Sequence, residues 1–399
     1  MKHNEAWLID GVRTPIGKHG GKLSGIRPDD LSALVLKAVT ERSSIDLKEI
    51  EDVYMGCANQ AGEDNRNVAR MGLLLAGLPD RIGGCTVNRL CGSGLEAVAE
   101  AARAVIAGEG HLFLAGGVES MSRSPLVIPK NSKPFQMGHV QAYDSTLGWR
   151  FVHPKMEEMG HTDSLGVTAE NLAEIYDISR EEQDAYALQS QKRAHSAMSS
   201  DNLSSEIISV KAEKEIISTD EGPRPDTTME KLSQLKPVFK KGGTVTAGNS
   251  SQISDGAAAL VVVSSEFAKA HGLKPMAKIR TTAISGCPPR IMGIGPVPAT
   301  EKALSRLGLK LSDIDLIEMN EAFAAQVLAV LREWKMDYQD TKLNVNGGAI
   351  PFGHPLGCSG AKLLTSMIHE MQRRSSVQFG LVTMCIGVGQ GISMVIEKA

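Results

Sequence analysis

Apolar and polar positions follow two rhythms along the first third of the chain. Short apolar runs of strand length lie at 5–9, closing on Asp10-Gly11, at 53–55 and at 112–115. Between them Leu31, Leu34, Val35 and Ala38 recur at helical spacing across 30–40, with Asp29 or Asp30 placed to cap the segment. The stretches 69–76 and 95–106 carry the same period. This alternation predicts a largely parallel sheet covered by helices, with the run at 112–115 stopped by Gly116-Gly117.

The middle of the chain breaks the rhythm. Over 181–240, 19 of 60 residues are charged, against 22% overall, which reads as an elaborated solvated surface. Within it 181–197 predicts an exposed amphipathic helix, and 219–228, with Gly222, Pro223 and Pro225, a loop. The last third resumes the alternation, with helices over 299–306 and 321–334 and a strand over 316–318. Apolar runs at 382–385 and 392–396 flank a glycine turn. Two α/β regions around a polar middle predict a duplicated core.

Composition and charge narrow the function. With 43 Lys and Arg against 46 acids and no basic cluster, nucleic acid is not an expected partner. No apolar stretch approaches the roughly 20 residues of a membrane span, and the first ten residues lack a basic segment and a cleavage site. A cytoplasmic protein with no membrane partner is expected. Six cysteines without a CxxC pair suit a reducing compartment, and ten histidines without HExxH give no reason to expect a metal. No Walker loop is present, and no GxGxxG opens a helix with the required downstream acid.

Four segments carry candidate chemistry. In Cys85-Thr-Val-Asn88-Arg-Leu-Cys91-Gly-Ser-Gly94, Cys91 lies at a helix start, where free backbone N–H groups are expected to lower its pKa and make it a nucleophile. A small buried hydrophobe is the plain alternative. In Asn344-Val-Asn346 through Gly353-His354-Pro-Leu-Gly357-Cys358-Ser-Gly360, helix-breaking residues hold His354 in a turn, where an imidazole can serve as a base. Cys385-Ile-Gly387-Val-Gly389 offers a second thiol able to move a proton, or a core cysteine, or a redox partner for Cys91. In Glu318-Met-Asn320-Glu321-Ala-Phe323, Asn320 either caps a helix or holds a water or base in the site.

Taken together, Asn88-Arg-Leu-Cys91-Gly-Ser-Gly94, Asn320-Glu-Ala-Phe323, Gly353-His354-Pro and Cys385-Ile-Gly387 resemble the thiolase family of acetyl-CoA acetyltransferases and 3-ketoacyl-CoA thiolases. Further similar segments stand at Gly116-Gly-Val-Glu119-Ser-Met121, Thr168-Ala-Glu-Asn171 and Gly243-Thr-Val-Thr-Ala-Gly248-Asn249, so the resemblance covers nearly the whole chain. It implies a five-layered α/β/α/β/α core of two similar halves with an inserted loop domain. The halves would be 1–120, completed by 252–273, and 274–399, with 121–251 as the inserted, CoA-binding domain.

The implied activity is reversible thiolysis of 3-ketoacyl-CoA, or condensation of two acetyl-CoA, through an acyl-cysteine intermediate. An acetyl-CoA C-acetyltransferase is the expected enzyme, with CoA as substrate and no tightly bound cofactor. By resemblance Cys91 is the acyl acceptor, His354 activates it, Cys385 exchanges a proton with substrate, and Asn320 holds a water in an oxyanion hole with His354. The backbone N–H groups of Cys91 and Gly387 would form a second hole, and Ser251 and Arg224 would contact CoA. A homodimer or homotetramer is implied, with 121–134 a contact loop.

The chain departs from the family pattern at Ser164-Leu165-Gly166 and at Pro351-Phe352, where Leu165 and Phe352 are positions that would reshape the acyl pocket. The competing readings are a non-catalytic CoA or lipid-binding scaffold and a decarboxylating ketosynthase. The latter would be expected to show two active-site histidines.

Overall fold

The computed structural model describes residues 4–135, 137–213 and 215–399. Its main sheet is built from β1 (Ala6–Arg13), β2 (Asp52–Gly56), β3 (Cys85–Val87), β4 (Leu112–Ser120), β5 (Ser254–Ser264), β6 (Ala277–Gly286), β7 (Leu316–Met319), β8 (Phe379–Ile386) and β9 (Gln390–Lys398). Their spatial order is β7-β8-β9-β6-β1-β5-β4-β2-β3. Only β7–β8, β4–β2 and β2–β3 pair in parallel. The expected largely parallel sheet is therefore corrected to a mixed one. There are two causes: β8 and β9 are joined by a turn too short for a crossover, and β5, far along the chain, returns between β1 and β4 antiparallel to both.

The duplication shows in this order. From β2 through β4 and β5 to β1, the pairings run parallel, antiparallel, antiparallel, and the same sequence recurs from β7 through β8 and β9 to β6. The halves join where Trp7 and Leu8 pair with Lys278 and Ala277.

Eight longer helices complete the layers: α1 (Pro28–Ser43), α2 (Val68–Leu75), α3 (Ser93–Ala107), α4 (Leu165–Ile175), α5 (Arg180–Ser199), α6 (Pro296–Leu307), α7 (Ala324–Trp334) and α8 (Leu356–Arg373). Leu31, Val35 and Leu36 of α1 and Val68 and Leu73 of α2 pack with one face of the first half-sheet. Ala303 and Leu304 of α6 and Val327 and Leu331 of α7 pack with one face of the second. A third core joins Leu95, Val98 and Ala102 of α3 and Leu364, Met367 and Ile368 of α8 to strands of both halves. The result is helix, sheet, helix, sheet, helix, the five-layered α/β/α/β/α arrangement.

Small residues let the central layer close. A Cβ on Gly117 would lie 2.0 Å from the Gly357 carbonyl oxygen, and one on Gly116 2.1 Å from that of Ala258. Gly116 and Gly117 therefore do not end the strand, as their type predicted; they admit neighbouring backbone while β4 runs on to Ser120. Three other local expectations change. The residue before α1 is Arg27, with Asp29 and Asp30 in the first turn rather than at the cap. Helix α5 is not a free surface helix, because Gln183, Asp184, Tyr186, Ser190 and Ala194 are buried. Phe352 does not face the acyl pocket; it is buried with Ala194, Ala197 and Leu203 under the Lys362 ammonium.

Candidate active site

The N-termini of the two central helices carry the two best candidates. Before α3 the chain makes a tight turn in which Leu90 adopts φ 48°, in the left-handed region that a branched residue occupies only when held there. The holding bonds are local. Leu90 N–H donates to Asn88 Oδ1 at 2.9 Å, Arg89 N–H donates to Ser93 Oγ at 2.9 Å, and Ser93 Oγ donates to the Leu90 carbonyl at 2.6 Å.

This turn presents Cys91, with the backbone N–H groups of Gly387 and of Cys91 itself near its sulfur. Those donors favour thiolate, as the sequence predicted, but burial outweighs them and pushes the thiol up to about 11. The expected low pKa is thus corrected: at rest Cys91 is a neutral thiol and needs a base.

His354 lies two residues before α8, next to its capping Pro355. Gly353 enters with φ 105°, and a Cβ there would lie 1.9 Å from Ser254 Oγ, so only glycine fits. His354 N–H then donates to the Gln252 carbonyl at 3.0 Å. Its Nδ1 lies 2.5 Å from Ser359 Oγ, and that hydroxyl spends its one proton on the Pro355 carbonyl at 2.9 Å. Ser359 can therefore only accept from the ring, which places the proton on Nδ1 and leaves Nε2 as a free lone pair. Nε2 is buried without a partner, and burial pulls the imidazole down to about 4. The ring is a neutral base.

Cys385 lies near the end of β8, paired across the hairpin with Gly391 and 2% exposed. Its thiol is pushed well above the ordinary value, first by burial and then by the nearby Cys91 and Cys287 sulfurs. The turn that follows brings Gly387 to Cys91 through Val388 at φ 65° and Gly389 at φ 82°. Asn320 does not cap a helix, because α7 starts at Ala324 with Phe323 before it. Instead its N–H donates to the Thr383 carbonyl at 3.0 Å, and its Nδ2 is buried without a partner. Two unpaired buried polar atoms, His354 Nε2 and Asn320 Nδ2, mark a site that something polar completes.

A cavity of about 750 Å³ is lined by Cys91, His354, Cys385, Ser251 and Arg224, so five separate stretches of chain meet there. Lys18 and His19 line it as well; nothing in their sequence setting marks them. A smaller cavity of about 210 Å³ shares Cys91 and Leu165 with the first and adds Gly387, Arg150 and His161. Asn320 is not among the lining residues of either, although its neighbours Ala322 and Phe323 line the larger.

Sequence reasoning passed over two further residues. Ser359 lay inside a quoted motif, but its role depends on a helical turn bringing it back to His354. Glu119 accepts the Ala58, Asn59 and Gly357 N–H groups at 2.8–3.0 Å, tying the start of α8 to the loop after β2. Burial pushes Glu119 up to about 7. Cys57 and Asp64 lie close enough to Glu119 to suggest a metal site, but these backbone donors already occupy the Glu119 oxygens.

Residues 6–266 match the family model described as thiolase, N-terminal domain, and residues 273–398 match thiolase, C-terminal domain. The chain belongs to the thiolase family. It is 53% identical over 400 residues to a β-ketoadipyl-CoA thiolase of Escherichia coli, covering 99% of both chains. Among solved structures, the acetyl-CoA acetyltransferase of Bacillus anthracis superposes with TM-score 0.93 at 40% identity, covering 100% of this chain and 99% of that one. Human mitochondrial 3-ketoacyl-CoA thiolase in complex with CoA gives 0.93 at 39% identity, with coverages of 99% and 98%. This thiolase is accordingly an acyltransferase of 3-oxoacyl-CoA thiolysis, with CoA a substrate rather than a tightly bound cofactor. Among the described residues, no helix is long and apolar enough to cross a membrane.

Proposed function

We propose that this thiolase cleaves 3-oxoacyl-CoA through an acyl thioester on Cys91, with His354 as base, Cys385 as acid and Asn320 as the holder of an oxyanion-site water. The observation that carries the reading is the neutral pair of a buried thiol and an imidazole whose Nε2 is a free acceptor beside the same cavity. His354 Nε2 takes the Cys91 proton as sulfur adds to the C3 carbonyl. The new oxyanion is met by the Cys91 and Gly387 N–H groups, which already point at the sulfur.

Collapse breaks the C2–C3 bond, and its electron pair leaves as the acetyl-CoA enolate. Cys385, kept protonated by burial, gives its proton to C2. The enolate oxygen is stabilised by His354, now carrying Nε2–H, and by a water on Asn320 Nδ2. The thiol of free CoA then returns a proton to Cys385 and attacks the thioester. As Cys91 leaves, it recovers the proton held on His354. Each bond made is balanced by one broken, and the thioester preserves reactivity between half-reactions.

CoA lies along the larger cavity in this reading, with Lys18, His19 and Arg224 toward its phosphates and Ser251 toward the pantetheine, the segment 121–251 serving as its binding domain. The sequence expectation of an acetyl-CoA C-acetyltransferase is widened: the smaller lobe beside Cys91 holds more than an acetyl group, and the 53% identical relative is named for β-ketoadipyl-CoA. Assembly as a homodimer or homotetramer fits the exposed Leu126 and Ile128, and six free cysteines fit the cytoplasm.

The test is thiolysis by purified protein, with CoA, across acetoacetyl-CoA, 3-oxohexanoyl-CoA and 3-oxoadipyl-CoA. Turnover of at least one is expected, with Cys91→Ser losing about 1,000-fold or more in kcat. Folded protein with intact thiols that cleaves none of the three would refute the reading.

A further inference from the structure

The smaller lobe contains a cation that no acid among the described residues neutralises. Arg150 lines it together with Cys91 and Gly387, and is only partly exposed. Among the described residues its one hydrogen bond runs from Nη1 to the Ser145 carbonyl at 3.5 Å, the long limit for such a bond, and it forms no ion pair. A guanidinium offers five donors in a planar fork, so almost all of its bonding capacity is unspent.

The acid on the same lobe is already taken. Asp163 Oδ2 accepts from Arg290 Nε at 3.0 Å and from Asn171 Nδ2 at 3.2 Å. A second polar group is unsatisfied there, for His161 Nδ1 is buried without a partner. Ser164, which precedes α4 and also lines the lobe, makes no side-chain cap bond, so the positive end of that helix faces a site already rich in donors. Leu90, Leu165 and Met292 add apolar wall to the same lobe.

We infer that Arg150, with His161, binds a carboxylate at the far end of the acyl chain, making ω-carboxyl 3-oxoacyl-CoA the preferred substrate class. The inference rests on the thiolase reading and assigns residues to its acyl specificity. In 3-oxoadipyl-CoA the carboxylate carbon stands three carbon–carbon bonds beyond the carbonyl that Cys91 attacks. The acyl-enzyme is then a succinyl thioester, whose methylenes meet the apolar wall and whose carboxylate accepts the guanidinium fork. A neutral chain of equal length puts a methyl group against Arg150 and His161 and leaves both desolvated and unpaired. That loss, more than any gain from apolar contact, makes the discrimination.

The experiment compares kcat/KM for thiolysis of 3-oxoadipyl-CoA and 3-oxohexanoyl-CoA, which differ by carboxylate against methyl, in wild type, Arg150→Met and Arg150→Lys. Wild type is expected to favour the carboxylate about 100-fold, Arg150→Met to reduce that ratio to about 5 or less, and Arg150→Lys to keep part of it. Arg150→Lys retains the charge and the stem, so it carries the test if Arg150→Met does not fold. Wild type that cleaves acetoacetyl-CoA but shows no preference between the two six-carbon substrates overturns the carboxylate site and leaves the thiolase reading intact. Equal losses on both substrates in the variants also overturn it. Failure of wild type on every 3-oxoacyl-CoA removes the thiolase reading instead.

Discussion

Ser359→Ala isolates the tautomer argument on which the neutral base depends. The substitution removes the one acceptor for His354 Nδ1–H among the described residues, a bond of 2.5 Å in a site where the imidazole is 6% exposed. It also removes the hydroxyl that donates to the Pro355 carbonyl at 2.9 Å. Stranding a buried donor costs about 1–3 kcal/mol, and the ring can recover part of this by moving its proton to Nε2 or by turning. Either response takes the lone pair away from Cys91.

If the whole cost falls on the step that needs an Nε2 acceptor, kcat/KM drops about 5- to 150-fold at 1.36 kcal/mol per decade. Steady-state thiolysis with acetoacetyl-CoA measures the drop, and nitrogen chemical shifts of the labelled ring report where the proton resides. Ser359→Thr, which restores the hydroxyl, should recover most of the rate, as a merely space-filling role would not require. Wild-type kcat/KM in Ser359→Ala with the proton still on Nδ1 would refute the reasoning.

Because burial pushes Cys91 up to about 11, its alkylation by iodoacetamide in the free enzyme should rise with pH through 9 without levelling. A plateau below pH 7, read by mass spectrometry, would indicate a preformed thiolate and contradict the neutral pair. Cys385→Ala should lose at least about 100-fold in carbon–carbon cleavage, where carbon must be protonated, and clearly less in acyl exchange between acetyl-CoA and CoA, where His354 Nε2 can carry the CoA thiol proton in place of Cys385. Comparable losses in both assays would remove the proton-transfer role. Gly117→Ala, whose Cβ would stand 2.0 Å from a backbone oxygen, should lower unfolding stability by about 3 kcal/mol or more, whereas Gly25→Ala, with open space around it, should change it little. Equal denaturant midpoints for the two variants would contradict the close-approach account of the central layer.

The hydrophobic rhythm made the elements legible, and the glycine settings of Cys91, His354 and Cys385 made three site residues legible with them. Strand pairing was less accessible. Whether β5 lies parallel or antiparallel to β4 depends on where a segment more than 130 residues downstream re-enters the sheet, and no local period encodes that. Gly116 and Gly117 misled as terminators because their role lies across the layer, at Ala258 and Gly357, rather than along the strand.

The Cys91 pKa misled in the same way. The backbone donors could be anticipated from a helix start, but the opposing burial is set by contacts such as Gly92 against Ile386, nearly 300 residues away. Arg150 and His161 carry no motif; only the lobe that brings them beside Cys91 distinguishes them from surface residues. Ser359 stood next to a candidate histidine, yet its function required the rise of one helical turn to become visible.

The central claim is that the reaction passes through an acyl group on Cys91. Its most direct test is acid quenching of the enzyme with 3-oxoadipyl-CoA or acetoacetyl-CoA in the absence of free CoA, followed by peptide mass mapping. The account predicts one thioester-linked acyl group per chain, on the peptide containing Cys91, succinyl from the first substrate and acetyl from the second, and absent in Cys91→Ser. An acyl group on Cys385, or turnover by wild type with no covalent adduct on any cysteine, would contradict it.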